Sequence, residues 1–317
     1  MKKDTKSDFI SIADAGKSLM PLLNSAAKLK KELSRGTGHL KSGPLKHRQV
    51  AMIFEKSSTR TRVSFEVAIH HLGGDALYLS TKDLQLGRGE TLADTGRVLS
   101  RYVDAIVYRA FDSRMMKELA SSSTIPVINA LDDMEHPCQS LADLLTIRER
   151  FGKLRGLRLT YLGDGNNVCN SLMLASAMSG MHFVAATPKG HEPTQRISEY
   201  AASIATETGS RIEVTNDPEA AASRANILYT DVWVSMGQEA EKESRERVFA
   251  PYQLNARMLG LADRKAIVMH CLPAHRGLEI TDDVIDGARS VVFEQAENRL
   301  HTEKAVLLWL MRHRVSR

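Results

Sequence analysis

Between residues 8 and 35 apolar and polar positions alternate at helical spacing, and the run Lys28-Leu29-Lys30-Lys31-Glu32 reads as a solvated helix face. Gly36, Gly38, Gly43 and Pro44 then break the chain. Residues 50–54 are a short apolar run that predicts a buried strand. A hydroxyl-rich turn follows, then a helix with Val63, Phe65, Val67, Ile69 and Leu72 on its inner side, stopped at Gly73-Gly74. The same order recurs, with strands over 76–79, 105–108 and 127–129 and helices over 91–102 and 113–121. A longer helix starts after Pro137, carries Leu141, Leu144, Leu145 and Ile147, and ends before Gly152. Beyond it the alternation restarts: strands over 157–162, 182–186, 211–214, 226–230 and 266–269, helices over 168–178, 194–208 and 218–224. Residues 304–312 are apolar enough for a final helix packed back on the body. Strand-helix-strand order repeated in each half predicts an α/β protein of two domains, each a parallel sheet flanked by helices. The lack of a short-period repeat excludes a solenoid.

Length agrees with that division, since 317 residues is about twice a common single domain. The 43% hydrophobic and 26% charged fractions are those of a globular protein, and 5% aromatic residues argue against an aromatic-rich nucleic-acid binder. Membrane spans need roughly 18 apolar residues in succession, and no run approaches that. The opening Met1-Lys2-Lys3 has no apolar stretch behind it, and Asp4 and Asp8 speak against a transit peptide, so a cytoplasmic location is expected. Cys138, Cys169 and Cys271 are an odd set without a C-x-x-C pair, which predicts free thiols. The net charge of +5 is spread along the chain among Asp and Glu; a small anionic substrate explains it as well as nucleic acid does.

The chemistry concentrates at Ser58-Thr59-Arg60-Thr61-Arg62, between the strand ending at Phe54 and the next helix. A helix start has N–H groups without partners and a partial positive charge, so a phosphate there gains hydrogen bonds and favourable electrostatics together. Arginine forks meet phosphate oxygens in pairs. A single such hydroxyl or arginine would be a helix cap or a solvated charge, but the whole cluster after a buried strand predicts an anion site. No G-x-x-x-x-G-K-[ST] loop occurs, which disfavours a nucleotide triphosphatase.

Ser58-Thr59-Arg60-Thr61-Arg62 at a strand-to-helix turn resembles the carbamoyl phosphate motif of the aspartate and ornithine carbamoyltransferase family. His136-Pro137-Cys138-Gln139 is similar to its H-P-x-Q motif, and His270-Cys271-Leu272-Pro273 to the H-C-L-P motif of the ornithine branch. Asp231-Val232-Trp233-Val234-Ser235-Met236-Gly237 resembles that branch's D-x-x-x-S-M-G loop. The four motifs stand in the expected order along nearly the whole chain.

The resemblance implies transfer of the carbamoyl group of carbamoyl phosphate to the side-chain amine of L-ornithine, giving L-citrulline and phosphate, by direct amine attack. It implies a carbamoyl phosphate-binding domain over residues 1–150, to which a C-terminal helix at 300–317 returns, and an ornithine-binding domain over 151–299, joined by interdomain helices. Ser58, Thr59, Arg60 and Thr61 then bind phosphate, with Arg62 beside them, while Thr61, Arg109 and His136 point at the carbonyl oxygen. Gln139 and the backbone of Cys271 and Leu272 hold the carbamoyl NH2, whose hydrogens need acceptors. Arg299 lies near the carbamoyl group, and Gln85 belongs to a loop that reaches a neighbouring subunit's site, which implies a homotrimer or multiples of trimers. Asn167, Asp231, Ser235 and Met236 hold the amino-acid end, and Asp231 with Cys271 orients the amine. No cofactor, metal, nucleic acid or membrane is implied. Taken singly, Arg109 is a surface arginine, His136 a loop histidine, Asp231 a turn aspartate, Cys271 an inert buried thiol and Arg299 a helix-start charge.

Two rival chemistries fit poorly. Leu162-Gly163-Asp164-Gly165-Asn166-Asn167 imitates the start of a dinucleotide fingerprint, but Val168 stands at the third glycine position and Thr187-Pro188-Lys189 supplies no acid for a ribose. The spacings of His136/Cys138 and His270/Cys271/His275 match no common zinc ligand set. Among carbamoyl acceptors, Asp231 would repel the second carboxylate of aspartate, and putrescine would leave Asn167 and Met236 without a role.

Overall fold

Short apolar runs that end in a hydroxyl- or glycine-rich turn and lead into a helix build parallel sheets, because each crossover helix must cover the sheet it returns to. The computed structural model describes residues 6–81, 84, 89–234 and 241–311. The chain divides into one unit of Met1–Leu145 with Glu297–Arg317 and a second of Thr146–Ala296. The divisions fall inside two helices, α6 and α13, whose ranges follow.

In the first unit a 3-10 turn (Ile12–Ser18) leads to α1 (Leu19–Ser34) and α2 (His39–Ser42), then β1 (Gln49–Phe54), α3 (Thr59–His71), β2 (Asp75–Ser80) and α4 (Leu92–Tyr102). β3 (Ala105–Arg109), α5 (Ser113–Ser122), β4 (Val127–Leu131) and α6 (Pro137–Phe151) follow. All four strands are parallel, in the order β2-β1-β3-β4. The central strands β1 and β3 are buried almost throughout, whereas the edge strand β2 is partly exposed. Ile53, Ile106, Tyr108, Met116 and Leu119 belong to the core that closes around them.

The second unit contains β5 (Arg158–Leu162), α7 (Asn167–Ser179), β6 (His182–Ala186), α8 (Gln195–Thr208), β7 (Ile212–Thr215), α9 (Pro218–Ala222) and β8 (Ile227–Thr230). α10 (Lys242–Phe249), α11 (Ala256–Leu261), β9 (Ile267–His270), α12 (Asp282–Ile285) and α13 (Val292–Met311) complete the chain. Its five parallel strands run β7-β6-β5-β8-β9, around a core that includes Leu162, Val184, Leu228, Val268 and Ile280. In each sheet the strand order reverses once, between β1 and β3 and between β5 and β8. Chains leaving such neighbours diverge, which opens a crevice at the carboxyl ends of the strands.

Two sequence expectations need correction. Val63 is 52% exposed, and the buried face of α3 is Phe65, Ala68, Ile69 and Leu72. Those four keep the spacing of a single helical stripe, which Val63 leaves by one row. The last helix begins at Val292 and not at 304. Between Gln295 and Glu303 it buries polar groups, including Asn298, Arg299 and Thr302, so apolar content does not reveal its start. α13 packs on the N-terminal segment of the same unit: Lys30 Nζ donates to Asn298 Oδ1 at 2.8 Å, Lys304 Nζ lies 3.2 Å from His39 Nε2, and Trp309 meets Phe9 edge-on. Among the described residues no helix is long and apolar enough to cross a membrane.

The turn from β4 to α6 is held by carboxylates. Asp132 Oδ1 accepts from the backbone N–H of Met134 at 2.8 Å and of Glu135 at 2.7 Å, and Asp132 Oδ2 accepts from Asn129 Nδ2. Glu135 Oε2 accepts from the N–H of Ile12, which ties the turn to the N-terminal segment. Burial, against the opposing Ser11 and Ile12 hydrogen bonds, raises the Glu135 carboxyl from 4.5 to about 7. Because the folded state holds this proton more tightly than the unfolded chain, the contribution to stability is full below about pH 4.5 and lost as pH rises through about 7. Glu135→Gln, which keeps an acceptor but sheds the charge, should therefore gain stability over the parent at pH 8 relative to pH 5, by up to about 3 kcal/mol. Melting curves of both proteins at the two pH values check this; an equal difference at both would remove the assignment.

Candidate active site

In the first unit the site grows from the carboxyl ends of β1 and β3. Ser58, in an extended conformation, caps α3 by accepting the N–H of Thr61 on its Oγ at 3.3 Å. The helix therefore starts with Thr59 and Arg60, both exposed, while Thr61 is buried. Arg109, the last residue of β3, and His136, the residue before α6, are both buried. Burial first, and then the positive charges of Arg299, Arg109 and Arg60, hold the His136 imidazole well below its ordinary range, so it is neutral at physiological pH. A neutral ring keeps one N–H to donate and adds no further charge.

Arg299, on α13, joins these groups. Its Nη1 donates to Gln139 Oε1 at 2.8 Å and its Nη2 to Thr61 Oγ1 at 3.3 Å, while Nε and Nη2 meet Glu303 Oε1 at 3.0 and 2.8 Å. Gln139 Nε2 donates to Asp143 Oδ1 at 2.8 Å, which fixes the amide with Oε1 toward Arg299. The structure thus brings together Thr61, Gln139 and Arg299, with Arg60, Arg109 and His136 close enough to interact electrostatically. Arg62 is engaged elsewhere, over the Tyr78 ring and 3.6 Å from Glu66. Gln85 lies outside the described residues.

The second unit builds its site where β5, β8 and β9 end. Asn166 caps α7, its Oδ1 accepting from the N–H groups of Val168 and Cys169 at 3.0 and 3.1 Å. Its Nδ2 donates to Asp231 Oδ2 at 2.9 Å, and Cys271 Sγ donates to Asp231 Oδ1 at 3.0 Å. One buried carboxylate at the end of β8 is thereby shared by an amide and a thiol from neighbouring strands. Asn167, the first residue of α7, stands beside this group. Ser235 and Met236 lie outside the described residues.

The segment after β9 is fixed from below. Leu272 N–H donates to His270 Nδ1 at 2.8 Å, and His270 Nε2 faces Glu279 Oε1 at 3.1 Å; both His270 and Glu279 are fully buried. Leu272 has φ 57° and precedes a cis peptide to Pro273. Among the described residues, Asp231, His270 and Cys271 are the group whose ligand atoms lie close enough, within 4.8 Å, to hold a metal ion. The donor set fits one poorly, because both His270 nitrogens are engaged and ligation would break either the Leu272 or the Glu279 contact. Cys138, Cys169 and Cys271 form no disulfide. Burial pushes the thiols of Cys138 and Cys169 far up, so neither is a nucleophile.

Sequence reading passed over Glu303, Asp143, Asn166 and Glu279. Helical spacing offered a signal for two of them, since Asp143 follows Gln139 and Glu303 follows Arg299 by four residues. Asn166 is the residue type expected to cap a helix. Glu279 carries no local signal.

Residues 7–149 match the family model described as the carbamoyl-P binding domain of aspartate/ornithine carbamoyltransferase, and residues 155–310 match its Asp/Orn binding domain. An ornithine carbamoyltransferase of Anoxybacillus flavithermus is 55% identical over 305 residues, 96% of each chain. A catabolic ornithine carbamoyltransferase of Thermoplasma acidophilum is 52% identical over 97% of this chain and 99% of its own. The solved ornithine carbamoyltransferase of Pyrococcus furiosus superposes with a TM-score of 0.94 at 50% identity, covering 98% of both chains. With both halves matched by the two models and nearly all of its length by such relatives, the chain belongs to the aspartate/ornithine carbamoyltransferase family.

Proposed function

We propose that the protein transfers the carbamoyl group of carbamoyl phosphate to the side-chain amine of L-ornithine, releasing L-citrulline and phosphate. The observation that carries the choice of acceptor is Asp231, a buried carboxylate shared by Asn166 and Cys271. It offers an anion to an ammonium group and would repel the second carboxylate of aspartate. The relatives above, all named ornithine carbamoyltransferases, support the same acceptor.

In this reading residues 1–150 with 300–317 bind the donor and residues 151–299 bind ornithine. Ser58, Thr59, Arg60 and Thr61 hold the phosphate with the start of α3. Arg62, which leans on Tyr78, adds charge at its edge. Arg109, neutral His136 and Thr61 donate to the carbonyl oxygen as negative charge gathers there. Gln139 Oε1 and the backbone of Cys271 and Leu272 accept from the carbamoyl NH2. Asp231, with Asn167, Ser235 and Met236, holds the amino-acid end, and with Cys271 orients the amine. The amine nitrogen bonds to the carbamoyl carbon, the bond to the phosphate oxygen breaks, and the amine proton leaves with phosphate. Cys271, whose Sγ lies 3.0 Å from Asp231 Oδ1, orients the amine for direct attack, and no acyl-enzyme forms.

The same reading has the chain acting in the cytoplasm as a homotrimer or multiple of trimers, with Gln85 serving a neighbour's site. Sedimentation equilibrium should give a mass that is a multiple of three chains, and a monomer would remove this part.

A colorimetric citrulline assay with carbamoyl phosphate should show turnover with ornithine and none with aspartate, putrescine, lysine or N-acetylornithine; equal turnover with putrescine would overturn the acceptor. Arg60→Ala should lower carbamoyl phosphate affinity by about a hundredfold or more while circular dichroism stays that of the parent. Parental affinity in that variant would refute the phosphate assignment.

A further inference from the structure

Glu303 is fully buried, and neither substrate in the reading above has a use for it. A carboxylate taken out of water costs several kcal/mol unless it is well paired. Its partner is Arg299, one helical turn earlier on α13, whose Nε and Nη2 both donate to Glu303 Oε1. A guanidinium has five N–H groups in one plane. With Nε and one Nη2 hydrogen committed to Glu303, the plane of the fork is set. The second Nη2 hydrogen then meets Thr61 and one Nη1 hydrogen meets Gln139, which leaves the other Nη1 hydrogen for a ligand.

We propose that Glu303 is a positioning residue of the carbamoyl-transfer site: it orients Arg299 so that one N–H remains aimed at the donor beside Thr61 and Gln139. This rests on reading those three residues as the donor site.

A second consequence follows from charge. Burial raises the Glu303 carboxyl to about 7, against the lowering effect of Arg299 and Ser64. The groups facing it are Arg299 on its own helix, Ser64 and Thr61 on α3, and Cys138 on α6, a thiol that burial keeps neutral. Lys304, the next residue, turns to His39, and Asp143 is taken up by Gln139. A phosphate dianion placed beside Arg299 draws on the same positive potential, so Glu303 holds its proton more tightly when the donor binds. Donor binding therefore takes up a fraction of a proton at Glu303, and gains from it as pH falls.

The test combines calorimetry and kinetics on the full chain. Carbamoyl phosphate is titrated without amine, at pH 7, in two buffers of different ionisation enthalpy, into the parent and Glu303→Gln. The parent should take up more protons than Glu303→Gln. In the citrulline assay Glu303→Leu, which frees the Arg299 fork, should lose about tenfold or more in kcat with the ornithine KM within about twofold, and Glu303→Gln, which keeps the acceptor oxygen, should recover most of the loss. Should Glu303→Leu fail to fold, the Glu303→Gln calorimetry decides. Equal proton uptake in the parent and Glu303→Gln, or parental kcat in a folded Glu303→Leu, would overturn the proposal. A parent that neither binds carbamoyl phosphate nor makes citrulline would instead remove the donor-site reading beneath it.

Discussion

Buried positive charge governs the first unit. Arg109 and Arg299 are both nearly inaccessible to water, and a guanidinium cannot escape the cost of burial by giving up its proton. The chain meets that cost in two ways. Arg299 is tied to Glu303, and His136, among three arginines, is left neutral. What remains is a set of donors with a surplus of positive potential beside the start of α3, a surrounding that favours a small, highly charged anion.

Neither set of groups could be assembled by a hairpin or a lone helix. In both units the residues read as functional leave the sheet where the strand order reverses: Ser58 to Thr61 after β1 and Arg109 at the end of β3, Asn166 after β5 and Asp231 after β8. Rigid parallel strands, buried on both faces, fix where these loops start, and the caps at Ser58 and Asn166 fix how the next helix begins. Each cap serves geometry and chemistry together. Ser58 closes the first turn of α3, and Asn166, while capping α7, presents its amide to Asp231.

The two charge environments are of opposite kind. The first unit gathers donors and cations, whereas the second offers Asp231, a buried carboxylate flanked by an amide and a thiol. A phosphorylated donor suits the former and an amine-bearing amino acid the latter, the division of labour expected of a group transfer from an anionic donor to an amine.

Local pattern alone determined the α/β class and the strand-helix alternation, because apolar runs with period and punctuation are properties of neighbouring residues. The cluster from Ser58 to Arg62 was legible for the same reason, as five consecutive residues at a helix start. Tertiary structure decided what neighbours along the chain cannot. Arg299 reaches Thr61 across 238 residues, and the start of α13 at Val292 is hidden from the apolar pattern because the helix buries polar groups such as Asn298, which meets Lys30 of α1. Arg62 turned to Tyr78, Asn166 met Asp231, and Val63 faced outward. Each outcome depends on a side chain's direction and on which distant group offers a partner. Sequence spacing carries the first only in part and the second not at all.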